Sequence, residues 1–252
     1  MSGEIKNPPK TISPFLKYIE TPSLQDLRTK VVENKKLPFV MVRDVVLHNK
    51  PDDCWVIIFG LVRDLTPLIE EYQNSPEGKD MVKPILAFAG KDISHWFDAR
   101  TGDMKRHVHP ITGALVQWTP HGRIPHVGIE TAGTDWTPPP RLPWWMDSRY
   151  VVARLTAQER QIRILNMLTG LEAQLCVCAE DTINQIQERY LQFNAHAHSY
   201  LWTYDRRPLQ MDKTLQGNRI YDERQTFEDL EMPATFYVPC LMLYFKDDLS
   251  QM

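Results

Sequence analysis

Five apolar residues in a row, Trp55-Val56-Ile57-Ile58-Phe59, stop at Gly60 and resume as Leu61-Val62. A short apolar run bounded by glycine predicts a buried strand turning into a second one. Thr66 then offers a hydroxyl N-cap with Pro67 in the first turn, and Leu68 and Ile69 form the apolar face of a helix. A second apolar stretch, residues 85–89, ends at Gly90. Beyond it Asp92 caps a helical piece carrying Ile93, Trp96 and Phe97, and residues 104–107 predict another short helical piece. Residues 114–118 have strand character between the turn signals Pro110, Gly113, Pro120 and Gly122.

Farther along, residues 161–166 alternate polar and apolar, Leu168-Thr169-Gly170 turns the chain, and residues 171–177 bring it back. Thr182 and Gln185 form a capping box ahead of the stripe Ile183, Ile186, Tyr190 and Leu191. Strands at 200–204 and 241–245 follow, the first ending in an Asp205-Arg206 turn. Prolines at 8, 9, 14, 22 and 38 break the polar beginning of the chain, so 1–37 is expected to be an extended arm. The stretch holding Trp136, Pro138, Pro139, Pro140, Pro143, Trp144 and Trp145 is expected to be a stiff connector whose indoles pack on a domain face. The expected organisation is an arm at 1–37, a first domain at 38–117, a connector at 118–150 and a second domain at 151–252.

At 252 residues, 42% hydrophobic and 24% charged, the composition is globular. A net charge of -3 gives no basic surface, which argues against nucleic acid. No apolar run approaches the ~18 residues of a membrane span, and the first residues lack a secretory pattern, so a protein of the cytoplasm is expected. Cys54, Cys176, Cys178 and Cys240 lack metal-ligand spacing and read as reduced thiols. There is no G-x-G-x-x-G, P-loop lysine or H-E-x-x-H, and no catalytic constellation. Asp52, Asp53 and Asp64 read as turn and cap residues, His121, His126, His196 and His198 as loop residues. The chain is not expected to be an enzyme.

Two strings carry a resemblance: HNKPDDCWVIIFGLVRDLTPLIEEY over 48–72 and AGKDISHWF over 89–97. They are similar to the cytochrome b5 family, in which a haem-ligating His lies eight residues past the Asp of the D-V-T motif. Here that position is Tyr72, and no H-P-G-G follows. The resemblance implies a b5-like haem-binding fold with ferric haem b as cofactor and Tyr72 as one axial ligand. His107 is the candidate for the other, with His109 next and His95 too early in the spacing. A phenolate stabilises ferric over ferrous iron, which favours sensing or structural haem over electron transfer.

I-R-I-L-N-M-L-T-G, E-D-T-I-N-Q-I and R-P-L-Q-M-D-K-T-L, in the last ninety or so residues, resemble ubiquitin and imply a β-grasp domain. The end DDLSQM lacks Gly-Gly, so a docking module is expected rather than a modifier. The implied fold class is therefore α+β, a cytochrome b5-like haem-binding fold followed by a β-grasp, ubiquitin-like domain. Both halves together, with P-W-W and L-Y-F-K-D-D-L, resemble a family of b5-like proteins of the motile cilium. That resemblance implies a component of the radial spokes of the axoneme, with radial spoke proteins and doublet microtubule-associated proteins as partners and a redox-dependent role in beating. The alternative is a soluble b-type cytochrome acting as an electron carrier.

Overall fold

A computed structural model describes residues 37–127, 142–233 and 235–245. The expected arm, apart from Leu37, and Trp136 with its three following prolines lie outside the described residues. The chain runs through β1 (Phe39–Val40), α1 (Val42–Leu47), β2 (Asn49–Lys50), β3 (Asp53–Ile58), β4 (Leu61–Asp64), α2 (Thr66–Tyr72) and α3 (Pro76–Ala87). The short strands β5 (Arg106–Val108) and β6 (Leu115–Gln117) follow, then β7 (Val151–Leu155), β8 (Glu159–Asn166), β9 (Glu172–Cys178) and α4 (Ile183–Tyr190). Last come β10 (Tyr200–Tyr204), β11 (Arg207–Pro208), α5 (Arg224–Asp229) and β12 (Cys240–Phe245). The fold is mixed α+β.

The first sheet has the order β1-β7-β4-β3-β2. The turn between β3 and β4 uses Phe59 at φ 50° and Gly60 at φ 76°, and pairs Ile58 with Leu61. Two successive positive φ values match the right-handed twist of a tight hairpin. Cys54, Val56 and Ile58 bury one face of the sheet against Leu65, Leu68, Ile69, Val82 and Ile85 of the helical layer. Ile57, Val62 and Ala153 bury the other face against Val45 of α1.

Thr66 is the first helical residue of α2, not its cap. Its hydroxyl is taken by the Cys54 N–H at 3.1 Å, and the Asp64 carboxylate accepts the Thr66 N–H at 2.9 Å. The capping role thus falls to Asp64. Residues 104–107 are not helical either. Arg106–Val108 pairs antiparallel with Leu115–Gln117, His107 facing Val116, because the turn between them is closed by side-chain and glycine geometry. His109 Nδ1 accepts the N–H groups of Ile111 and Thr112, and Gly113 sits at φ 66°.

The connector forms part of the first core. Trp144 is fully buried and Trp145 nearly so, their rings edge to face at 5.5 Å, and Phe97 lies 6.1 Å from each. The Trp144 indole donates to the Pro125 carbonyl at 3.2 Å, and the Trp145 indole to Asp103 at 3.0 Å. Both indoles thus have the acceptor that a buried N–H requires. After this segment the chain enters β7, which pairs with β4 and β1 rather than with the second sheet. The boundary expected at residue 150 therefore falls one strand too early. The sequence of 151–155 shows only a strand, and its partner is a matter of tertiary packing.

The second sheet has the order β11-β10-β12-β8-β9, with β12 parallel to β8 and the other pairings antiparallel. Thr182 and Gln185 form the reciprocal capping box, and Ile183, Ile186 and Tyr190 bury the stripe of α4 against the sheet. Arg189, in the last turn of α4, joins the two units. It meets Asp181 at 2.8 Å, the Phe39 carbonyl at 3.2 Å and Asp44 at 3.6 Å.

Truncating Trp144 tests whether the connector is core. Trp144→Ala should cost about 3–5 kcal/mol in chemical denaturation, the range for a large buried aromatic. A loss below about 1 kcal/mol would place the indole outside the cooperative fold.

Candidate functional site

Tyr72 ends α2, and the backbone around it is tightly specified. Ser75 caps α3 by accepting the Gly78 N–H at 3.0 Å, and the Ser75 N–H reaches the Tyr72 carbonyl at 3.4 Å. A Cβ on Gly78 would stand 2.0 Å from that carbonyl oxygen and 2.7 Å from Ser75 Oγ. Glycine is therefore needed for the close approach of α3 to the end of α2. The residues after Tyr72, polar as a sequence, form the first turns of α3.

The Tyr72 ring is half-buried against the first core and stands edge-on to His126 at 6.0 Å. His126 Nδ1 accepts the Trp144 N–H at 3.0 Å, so the histidine nearest the phenol is engaged with the tryptophan segment. Tyr150 lies close to the same group. Burial first, then the Asp147 carboxylate, pushes its phenol above the ordinary tyrosine value, with Tyr72 a smaller contribution. Below it, buried Arg63 donates to the Asp147 carbonyl at 2.8 Å and holds the end of the connector to β4. Burial pulls that guanidinium down to about 10, so it stays charged at neutral pH.

His107 is half-buried on β5, between exposed Arg106 and Val108, and its Nδ1 is buried without a hydrogen-bond partner. An orphaned buried nitrogen is uncommon and calls for an explanation. Neither of the other candidate histidines is placed in this way. His109 is occupied in its turn, and His95 is exposed on the short helical turn 94–96, its ring 6.0 Å from Phe88. His121, read as a loop residue, stacks obliquely on Phe88 at 4.8 Å and lies 5.9 Å from Trp96.

A b-type haem needs an enclosed apolar slot with ligands from its two faces. The donors fit: a phenol, and an imidazole with an unsatisfied nitrogen. Pro84, Trp96, Met104, Trp118, His121 and Ile124 are among the residues around a cavity of about 10 Å³, and neither Tyr72 nor His107 lines it. That is room for one water, against the roughly 300–1,000 Å³ of a cofactor pocket. Ile124, Trp144, Trp145 and Met146 belong to the buried core against which Tyr72 packs.

Among the described residues no three His, Cys, Asp or Glu side chains are grouped to hold a metal ion. The four cysteines are unpaired, and burial raises the Cys54 and Cys178 thiols to about 12, away from nucleophilic use. Among the described residues no helix is long and apolar enough to cross a membrane. The indoles of Trp144 and Trp145 pack on a domain face as expected, and that face is the first core, where Ile124 and Val127 join them. The signal available was the paired indoles next to a strand-forming run.

These features define a cytochrome b5-like domain joined to a second α+β unit. Residues 42–116 match the family model described as cytochrome b5-like heme/steroid binding domain. Cytochrome b5 domain-containing protein 1 of Homo sapiens is 45% identical over 209 residues, covering 83% of this chain and 90% of that protein. The Xenopus laevis protein of that name is 46% identical over 210 residues, covering 83% and 95%. L-lactate dehydrogenase (cytochrome) of Saccharomyces cerevisiae is 47% identical over 55 residues, which are 22% of this chain and 8% of that one. The chain belongs to the cytochrome b5 domain-containing protein 1 family.

Gly78→Ala should cost about 1–3 kcal/mol in urea denaturation, as over-packing does. An unconstrained helical glycine would give the opposite sign, a gain of roughly 0.5–1 kcal/mol. A stabilised variant would show that α3 does not press on the Tyr72 backbone.

Proposed function

We propose that this protein is a structural and docking component of the motile-cilium axoneme, within the radial spoke, whose b5-like unit takes up ferric haem b as a redox-responsive element. The second unit, with its helix between two hairpins and its central parallel pair, is read as a β-grasp docking module. The observation that carries the choice of scaffold over electron carrier is the packed first core. A carrier keeps its cofactor in both oxidation states. A unit in which Trp144 and Trp145 share the packed core against which Tyr72 lies is suited to conditional occupancy. The ciliary assignment rests on the joint resemblance of both halves of the sequence to b5-like proteins of the motile cilium.

Tyr72 and His107 are the residues assigned to the iron. When bound, the group supplies a redox-active centre. The phenol contributes an anionic donor once deprotonated, which favours the ferric state. The imidazole contributes the nitrogen that has no hydrogen-bond partner. His126, which accepts the Trp144 N–H, stands beside the phenol and ties the tryptophan segment to it.

Purified protein titrated with ferric haem should give a Soret band that fades after reduction, and Tyr72→Phe should remove it. An unchanged band in that variant excludes Tyr72 as a ligand. A haem retained equally in both oxidation states would favour the electron carrier. Removing residues 157–252, which leaves β7 in the first sheet, should abolish incorporation into axonemes while haem uptake persists. Normal incorporation of the truncated chain would overturn the docking role.

A further inference from the structure

The two five-stranded sheets have four outer strands. Three of them, β1, β2 and β11, are two residues long, and β11 also carries Pro208. Short or proline-bearing edges are how sheets avoid unwanted pairing. The fourth, β9, is seven residues long and contains no proline.

Its ladder shows which backbone groups are spent. Asn166 N–H bonds the Leu171 carbonyl and Ala179 N–H the Gln158 carbonyl, so the odd-numbered residues of β9 bond to β8. The N–H and C=O groups of Glu172, Gln174 and Cys176 therefore face away from the sheet. Cys178, next in that row, has its N–H taken by Asp181 at 3.0 Å. Glu172 and Gln174 are exposed and Cys176 is half-buried.

This open row borders a groove of about 700 Å³. Gln174 and Cys176 form one wall, Glu188 and Gln192 of the α4 region another, and Arg43 and Asp44 of α1 overhang it. The cations are already matched. Arg43 pairs with Glu159 at 2.5 Å, and Arg189 pairs with Asp181 and Asp44. What the groove still offers is peptide groups, the glutamine amides of residues 161, 174 and 192, and the exposed Glu188 carboxylate, which has His198 at 3.5 Å.

We infer that the outer edge of β9 is a strand-addition site, taking an extended segment of a protein partner that lies between β9 and α1 with uncharged polar side chains toward the glutamines. An added strand runs 4.7–4.9 Å from its neighbour and is held mainly by main-chain hydrogen bonds. The overhang of α1 admits a single strand more readily than the sheet edge of a second folded copy. The inference rests on the docking role given to the second unit and specifies its surface.

The test pans a random library of short linear peptides on the full-length protein. Enriched peptides should slow amide exchange at Glu172, Gln174 and Cys176 about tenfold. Gln174→Pro, which removes an outward donor and leaves the β8 ladder intact, should weaken them about tenfold, the worth of one main-chain hydrogen bond. N-methylation of alternate peptide amides should do the same with the protein unaltered, which covers a proline variant that folds poorly. Binding insensitive to both changes, failure of any peptide to enrich, or a dimer of the chain that Gln174→Pro dissolves would each overturn the proposal. Axonemal incorporation of the truncated chain tests the docking role separately, so the two can fail independently.

Discussion

The seating of Trp144 and Trp145 in the first core is the contact on which the rest depends. It buries two indoles with both N–H groups satisfied, in one core with residues of α2 and α3. It also fixes the course of the chain after residue 142, because Arg63 holds the Asp147 carbonyl and delivers the backbone to β7. The b5-like unit is therefore incomplete without a strand that lies more than thirty residues beyond the match to its family model.

This arrangement changes how the cofactor question is framed. The b5-like unit has a phenol at the end of α2, an imidazole nitrogen without a hydrogen-bond partner on β5, and a core of its own aromatics. Burying those aromatics is favourable by roughly 25 cal/mol for each Å² removed from water, and uptake of a group into that core competes with that gain. Affinity for any group bound there is set by the difference between two packed states rather than by ligand strength alone.

Much of the fold was legible where local chemistry decides it. The hairpin around Phe59 and Gly60, the capping box at Thr182 and the stripe Ile183, Ile186, Tyr190 follow from residue type and spacing, and the structure has them. Residues 104–107 misled because a four-residue stretch carries little periodicity, and pairing with 115–117 outweighs its propensity. The boundary at 150 misled for a related reason: 151–155 is a strand in either unit, and only the open edge of β4 decides which. Of the candidate site, Tyr72 and His107 are expectations carried by the family resemblance. The partners of the tryptophan segment, Pro125, His126 and Asp103, lie far off in the chain and are set by tertiary packing.

The route from β7 into β8 has a mechanical meaning. Only residues 156–158 separate a strand near the middle of one sheet from a strand inside the next, and Glu180 clamps that passage through Thr156 Oγ1 at 2.6 Å and the Ala157 N–H at 2.9 Å. There is no slack to absorb a pull. A load applied to one unit passes along a covalent rod into the heart of the other, so a tug on the far sheet becomes shear on the strand beside β4. Under a repeated load such a joint would behave as a stiff strut and not as a tether.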